Sequence, residues 1–169
     1  MKLRHLLPSD LPEAMLAQEE LAVDDFDFLP GYEPTSDWDR FLQEIDDTRL
    51  GRNLPKGRVP ATFLLAEEAR EIVGRVSIRH SLNTHLRAVG GHIGYAVRPR
   101  FRRRGCAQQI LRLALGEAKG LRIGHVLLTC DATNDASRAT IERCGGVLDT
   151  SESTDSASAG KLRYWIDYS

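Results

Sequence analysis

Residues 94–115 read GYAVRPRFRRRGCAQQILRLAL. A short apolar strand pattern, Ile93 to Val97, leads through Pro99 into an arginine-dense turn. The chain then enters a helix at Gly105-Cys106-Ala107, with an apolar stripe at Ile110, Leu111, Leu113, Ala114 and Leu115. Strand, basic turn and helix start make an anion-binding device. The first N–H groups of a helix have no partner within it, and the macrodipole favours negative charge there. Gly105 lets a phosphate approach the backbone closely. Arg98, Arg100, Arg102, Arg103 and Arg104 add positive field and bidentate donors.

Outward from this unit the patterns alternate. Leu3 to Leu7 predicts a first strand. Pro8-Ser9-Asp10 predicts a helix start with Ser9 or Asp10 as cap and Glu13 placed for a capping box; the helix runs to about Val23 with Leu11, Met15, Leu16 and Leu21 on one face. Asp24 to Tyr32 reads as an acidic, aromatic loop. Ser36 to Asp39 opens a second helix, with Trp38, Phe41, Leu42 and Ile45 at helical spacing. Ala61–Ala66 and Ile72–Ile78 read as strands joined by a charged hairpin loop, Glu67 to Glu71. A strand from Ile123 to Cys130 is apolar enough to be central. A helix capped by Asn134 or Asp135 ends at Gly145-Gly146. Val147-Leu148 and Lys161–Tyr168 give two last strands around a low-complexity loop, Ser151 to Gly160. The order β-α-α-β-β-β-α-β-α-β-β predicts one domain over residues 1–169, with one mixed, mostly antiparallel sheet and helices on both faces.

Bulk properties narrow the function. The net charge of −1 makes the arginine cluster a local feature and ranks nucleic-acid binding last. Three cysteines, Cys106, Cys130 and Cys144, show no metal-ligand spacing and fit reduced thiols in a cytosol. Neither a signal peptide nor a membrane-length apolar run is legible, so cytoplasmic is the expectation.

Val97-Arg98-Pro99 followed by Arg102-Arg103-Arg104-Gly105-Cys106-Ala107 resembles motif A of the GNAT superfamily of acetyl-CoA-dependent N-acetyltransferases. Asn134-x-x-Ser137 and then Cys144-Gly145-Gly146-Val147 resemble motif B, one helix and one strand downstream. The resemblance implies a single-domain α/β fold with a central splayed parallel strand pair. It implies acetyl-CoA as co-substrate, no metal, and an amine acceptor. Backbone groups of Val97, Arg98 and Pro99 would pair with the pantetheine arm. The N–H groups from Arg103 through Arg104, Gly105 and Cys106 to Ala107 would take the pyrophosphate. Asn134 would position the cofactor, with Ser137 in the same motif. Side chains of Arg98, Arg100 or Arg102 would serve the outlying phosphate or solvent. The splay follows physically from Pro99, which cannot donate to a ladder.

The acid and base do not transfer from the family. Ile141 stands where many relatives carry a tyrosine acid, and Thr129 where some carry a glutamate base. Tyr95, His92, Tyr164 or a water remains to move the proton. The alternative is a non-catalytic acyl-CoA-binding or sensing domain on the same fold. Alternation puts Ile93 and Tyr95 on one strand face and His92 and Gly94 on the other. Asp24, Asp25, Asp27 and Glu33 read as a solvated loop, or as an acidic rim attracting a cationic amine. Trp165 is assigned to core or homodimer packing. The acceptor itself is not encoded in any readable motif.

Overall fold

The computed structural model describes residues 1–151 and 160–167. The low-complexity loop expected at Ser151 to Gly160 therefore lies almost wholly outside the described residues. Eleven elements follow in the expected order: β1 Lys2–Arg4, α1 Leu11–Ala22, α2 Trp38–Arg49, β2 Ala61–Glu68, β3 Glu71–Arg79, β4 Ile93–Val97, α3 Cys106–Gly120, β5 His125–Asp131, α4 Asp135–Arg143, β6 Val147–Leu148 and β7 Lys161–Asp167. No helix among the described residues is long and apolar enough to cross a membrane.

The strands form two sheets rather than one continuous ladder, ordered β1-β2-β3-β4 and β5-β7-β6. Every ladder between described strands is antiparallel. Helices cover both faces. On one side α3 and α4 pack on Val76, Ile78, Ile93, Val97, Val126, Leu128 and Cys130. On the other, α1 and α2 pack on Phe63, Leu65 and Ile72. Side chains of β3 and β4 feed both layers: Val76, Ile78, Ile93 and Val97 go to the α3–α4 layer, and Ile72 and Ala96 to the α1–α2 layer.

Several local expectations change. The β2–β3 connection is a two-residue turn at Ala69 and Arg70, with φ of 50 and 67. Glu67, Glu68 and Glu71 belong to the strands. In α1 the buried positions are Ala14, Ala17 and Leu21, whereas Leu16 is exposed, because small residues let the helix lie close to the sheet. Asp10 turns back to accept from Leu7 N–H at 2.7 Å. Glu13 does not close a capping box; it accepts from Ile72 N–H across the sheet at 2.9 Å. The Asp24–Tyr32 loop is not simply solvated: Phe28 and Leu29 are fully buried, and Leu29 N–H donates to Gln18 Oε1 at 2.8 Å.

Candidate functional site

A pair of hydrogen bonds joins the two sheets where β4 begins. His92 N–H donates to Leu127 C=O at 2.6 Å, and Leu127 N–H donates to His92 Nδ1 at 2.9 Å. The residue before, Gly91, has φ +62, and a Cβ built there would stand 2.6 Å from Leu127 O. That backbone approach has room for glycine alone. Gly91→Ala is expected to cost about 2 kcal/mol or more, a fall in Tm of roughly 4–8 °C for a chain of this size. Thermal unfolding checks it, and an unchanged Tm would show that the contact is slack.

From this apex the two strands present unpaired edges to each other. Arg98 N–H donates to Val73 C=O at 3.0 Å, and His92 C=O accepts from Arg79 N–H at 2.7 Å. Even-numbered positions of β4 thus pair with β3, and the backbone groups of Ile93, Tyr95 and Val97 face away, toward β5. On β5, Ala132 N–H donates to Gly160 C=O at 2.8 Å, in line with the β7 ladder. The same alternation turns the Thr129 backbone toward β4. Beyond His92 and Leu127 no ladder joins β4 to β5 among the described residues, and the gap between these edges, the wedge, is where an extended chain bearing amides can add as a strand. Pro99, expected to part the two strands, lies beyond Arg98 and opens a single helical turn, Pro99–Phe101.

At the far end of β4 the anion-binding turn takes shape. Arg103 and Gly105 adopt φ of 60 and 78. The first helical bond is Gln109 N–H to Gly105 C=O at 3.1 Å. The N–H groups of Arg103, Arg104, Gly105, Cys106, Ala107 and Gln108 have no backbone acceptor among the described residues. Left-handed residues in a turn at a helix start gather N–H groups into an anion-binding concavity. A Cβ on Gly105 would meet nothing within 4 Å, so the space in front of the turn is open. The backbone fits a pyrophosphate, and the adjoining wedge fits an amide-bearing arm.

The arginine side chains divide their work differently from the expectation. Arg98 is 1% exposed. Its Nε and Nη2 donate to Glu20 at 2.8 and 2.7 Å, and its Nη1 to Glu13 Oε1 at 3.0 Å and Ile72 C=O at 2.9 Å. It is therefore no phosphate ligand through its side chain, and its N–H is held by β3. Arg102 Nε donates to Val97 C=O at 3.0 Å, and its Nη2 reaches Asp24 Oδ2 at 2.5 Å. That pairing takes Asp24 out of the acidic rim. Arg103 and Arg104 are exposed. Cys106 is buried, and burial raises its thiol despite Arg104 nearby, which leaves it a packing residue.

Asn134 Oδ1 accepts from Ser137 N–H at 3.0 Å and so caps α4. Ser137 Oγ in turn lies 3.3 Å from Tyr95 OH. Tyr95 thus projects from the wedge edge of β4 to the α4 N-terminus, on the face the alternation predicts. Burial raises its phenol above the ordinary tyrosine value, with bonds to Ser137 and Thr140 opposing. Tyr164 is 1% exposed and donates to Glu142 Oε1 at 3.0 Å; burial raises it as well. His92 is pushed down to about 4, by burial first and then by Arg87 and Arg79. Its Nδ1 already accepts from Leu127. Ile141 is core, and Thr129 Oγ1 donates to Val89 C=O at 2.8 Å.

Tyr95, Asn134, Ser137, Val97 and the turn at Arg103 to Ala107 therefore come together around one wedge, with Tyr164 behind α4 and His92 at the apex. The clamp at Arg98 was not foreseen. Its one sequence signal is the pair Glu13 and Glu20, seven residues apart on one helix face.

Residues 1–147 match the family model described as the acetyltransferase (GNAT) domain. A sequence search among curated proteins returns no match. Similar solved structures include a mutant of the spermidine N-acetyltransferase of Vibrio cholerae, with 18% identity, TM-score 0.63, and coverage of 99% of this chain and 95% of that one. A ribosomal-protein-alanine N-acetyltransferase from Brucella melitensis has 21% identity, TM-score 0.60, and coverage of 99% and 100%. The Microcin C7 self-immunity acetyltransferase, solved with acetyl-CoA and AMP, has 18% identity, TM-score 0.63, and coverage of 98% and 91%. At these identities the likeness speaks to fold. The family match spans the wedge, the turn and α4 alike, and by it the chain belongs to the GNAT acetyltransferases, a family of acyltransferase enzymes.

Proposed function

We propose that the chain transfers an acetyl group from acetyl-CoA to an amine by direct attack. The observation that carries this reading is the continuity of the open N–H turn at Arg103 to Gln108 with the β4 edge at Tyr95 and Val97, which joins no ladder to β5 among the described residues. When bound, acetyl-CoA supplies the thioester that the amine attacks and the thiol that leaves. Backbone N–H groups at Arg103 to Ala107 hold its pyrophosphate, and Tyr95 and Val97 pair with its arm. A free N–H on the β4 edge polarises the carbonyl. The attacking amine gives up its proton to solvent water, and Tyr95, still protonated at neutral pH, donates to the departing sulfur and is reprotonated from solvent. Ser137 holds the phenol in place, and Asn134 caps the helix that presents Ser137.

A thiol-release assay over a broad amine panel, run beside calorimetric binding of acetyl-CoA, tests this. Turnover on at least one amine class supports transfer. Tight binding with no turnover favours the sensing domain, for which the apolar Ile141 and the carbonyl-bound Thr129 speak. Absence of acetyl-CoA binding removes both. Gly105→Ala separates cofactor binding from folding. The left-handed φ costs about 1–2 kcal/mol of stability, and the new methyl enters the open space beside the turn. Acetyl-CoA affinity is expected to fall by about ten-fold or more at a temperature where the variant remains folded; equal affinity would move the pyrophosphate elsewhere.

A further inference from the structure

On the sheet face opposite α3 and α4, the β3–β4 register sets Arg75 beside Ala96 and Ser77 beside Gly94. Arg79 follows on the same side. A Cβ built on Gly94 would lie 4.0 Å from Arg79 Nη1, so that guanidinium stands over the glycine. The α1–α2 layer packs on Phe63, Leu65 and Ile72. Ser77 and Gly94 remain partly exposed, as does Ala96, which packs against the margin of that layer, while Val76, Ile78 and Ile93 on the other face are buried. The result is a strip floored by small residues beside the wedge edge of β4, with Arg75 and Arg79 at its two ends along β3.

Neither arginine meets a carboxylate within ion-pair distance among the described residues. Arg75 is 8% exposed, its guanidinium 4.7 Å from the Phe26 ring centroid and 5.6 Å from that of Phe63. Its Nη2 donates to Asp27 C=O at 3.0 Å, and its Nε is buried with no partner. Arg79 Nη1 donates to Gly90 and Gly91 C=O at 2.8 and 3.0 Å. Elsewhere the chain compensates its buried arginines. Arg98 has Glu13 and Glu20, and Arg4 has Asp10 and Glu67. Burial lowers Arg75 to about 10, with Asp27 opposing and Arg79 adding to the fall. Burial and Arg58 lower Arg79. Arg79 and Arg87 also depress His92 at the apex. Desolvated cations with no carboxylate in ion-pair contact are costly, and a binding anion relieves that cost.

We infer that this strip is the acceptor seat and that Arg75 and Arg79 select amines that also carry a carboxylate. The inference rests on the acetyl-transfer reading for what the seat serves. The amine enters from this face while Tyr95 meets the wedge from the other, so nucleophile and acid act from opposite sides. The seat runs against a cationic acceptor: of the acidic loop, Asp24 is committed to Arg102, and Asp27 sits beside Arg75.

Matched amines test the inference in two arms. Phenylalanine against phenethylamine, and β-alanine against ethylamine, are titrated calorimetrically into protein saturated with CoA, and the same compounds are assayed with acetyl-CoA. A charge-assisted bond predicts that the carboxylate member binds about ten-fold or more tightly. Arg75→Met, which keeps side-chain length between Phe26 and Phe63, should erase most of that advantage without changing CoA affinity. Equal binding within the pairs, tighter binding of the decarboxylated amines, or no binding of either member overturns the seat, and needs no variant to do so. Carboxylate-dependent binding without turnover supports the seat and removes acetyl transfer. Turnover without carboxylate preference does the reverse.

Discussion

Replacing Tyr95 by Phe is expected to lower kcat for amine acetylation by about 10²- to 10³-fold, the range of a positioned general acid, with acetyl-CoA affinity unchanged within about two-fold. Three observations single out this hydroxyl. It projects from the β4 edge that borders the wedge and reaches Ser137 at the start of α4. Burial raises its phenol above the ordinary tyrosine value, so it carries its proton throughout the neutral range. The competing groups are engaged. Tyr164 OH donates to Glu142, and His92 Nδ1 accepts from Leu127 N–H. Protonating His92 there would break the contact that joins the sheets. Tyr164→Phe should instead remove a buried hydrogen bond, costing about 1 kcal/mol of stability, with a far smaller change in kcat. The pH profile carries the sign. The wild-type rate falls at high pH as the phenol ionises, above the ordinary tyrosine value, and the Phe variant lacks that limb. If Tyr95→Phe keeps its rate and Tyr164→Phe loses it, the acid is Tyr164.

The fold was legible because its deciding unit is local. A strand, a turn with Gly105 and an amphipathic α3 are contiguous, and period-two and period-3.6 patterns mark the rest. What escaped depended on distant pairs. The split into two sheets rests on Gly91 meeting Leu127, and nothing near either residue announces the other. Alternation correctly put Tyr95 and His92 on opposite faces, yet it could not say that Ser137 lay across from one and Leu127 from the other. The same limit applies to charge. In sequence, Arg98 looks like one more member of an exposed cluster. Its burial follows from its N–H continuing the β4 pairing onto Val73 just past the strand, which brings the side chain under α1. Arg75 and Arg79 are spaced for one face of β3, but their lack of carboxylates is visible only once the neighbours are in place.

Arg98→Met should be the most destabilising change among the arginines of the turn, by about 3 kcal/mol. The guanidinium is almost wholly buried and ties α1 to the sheet through Glu13, Glu20 and Ile72 C=O. Methionine fills much of the volume but satisfies none of these acceptors. Glu13 and Glu20 are about one-third exposed, so water recovers part of the loss, and the figure sits at the low end for a broken buried pair. The exposed Arg104 provides the control: Arg104→Met should leave Tm within about 1 °C, since surface changes away from specific contacts cost little. Acid distinguishes charge from packing. Hydrogen bonds from Arg98 hold the Glu20 carboxyl below its ordinary 4.5, against the burial that raises it. A depressed carboxyl stabilises the fold fully above its unfolded pKa and loses that contribution as pH falls through the folded value. The Tm gap between wild type and Arg98→Met is therefore widest near neutrality and narrows below about pH 4. A gap that stays constant to pH 3 would assign the effect to packing under α1. A gap that closes would place the ion pair as the tie between α1 and the strand that carries Tyr95 and Val97.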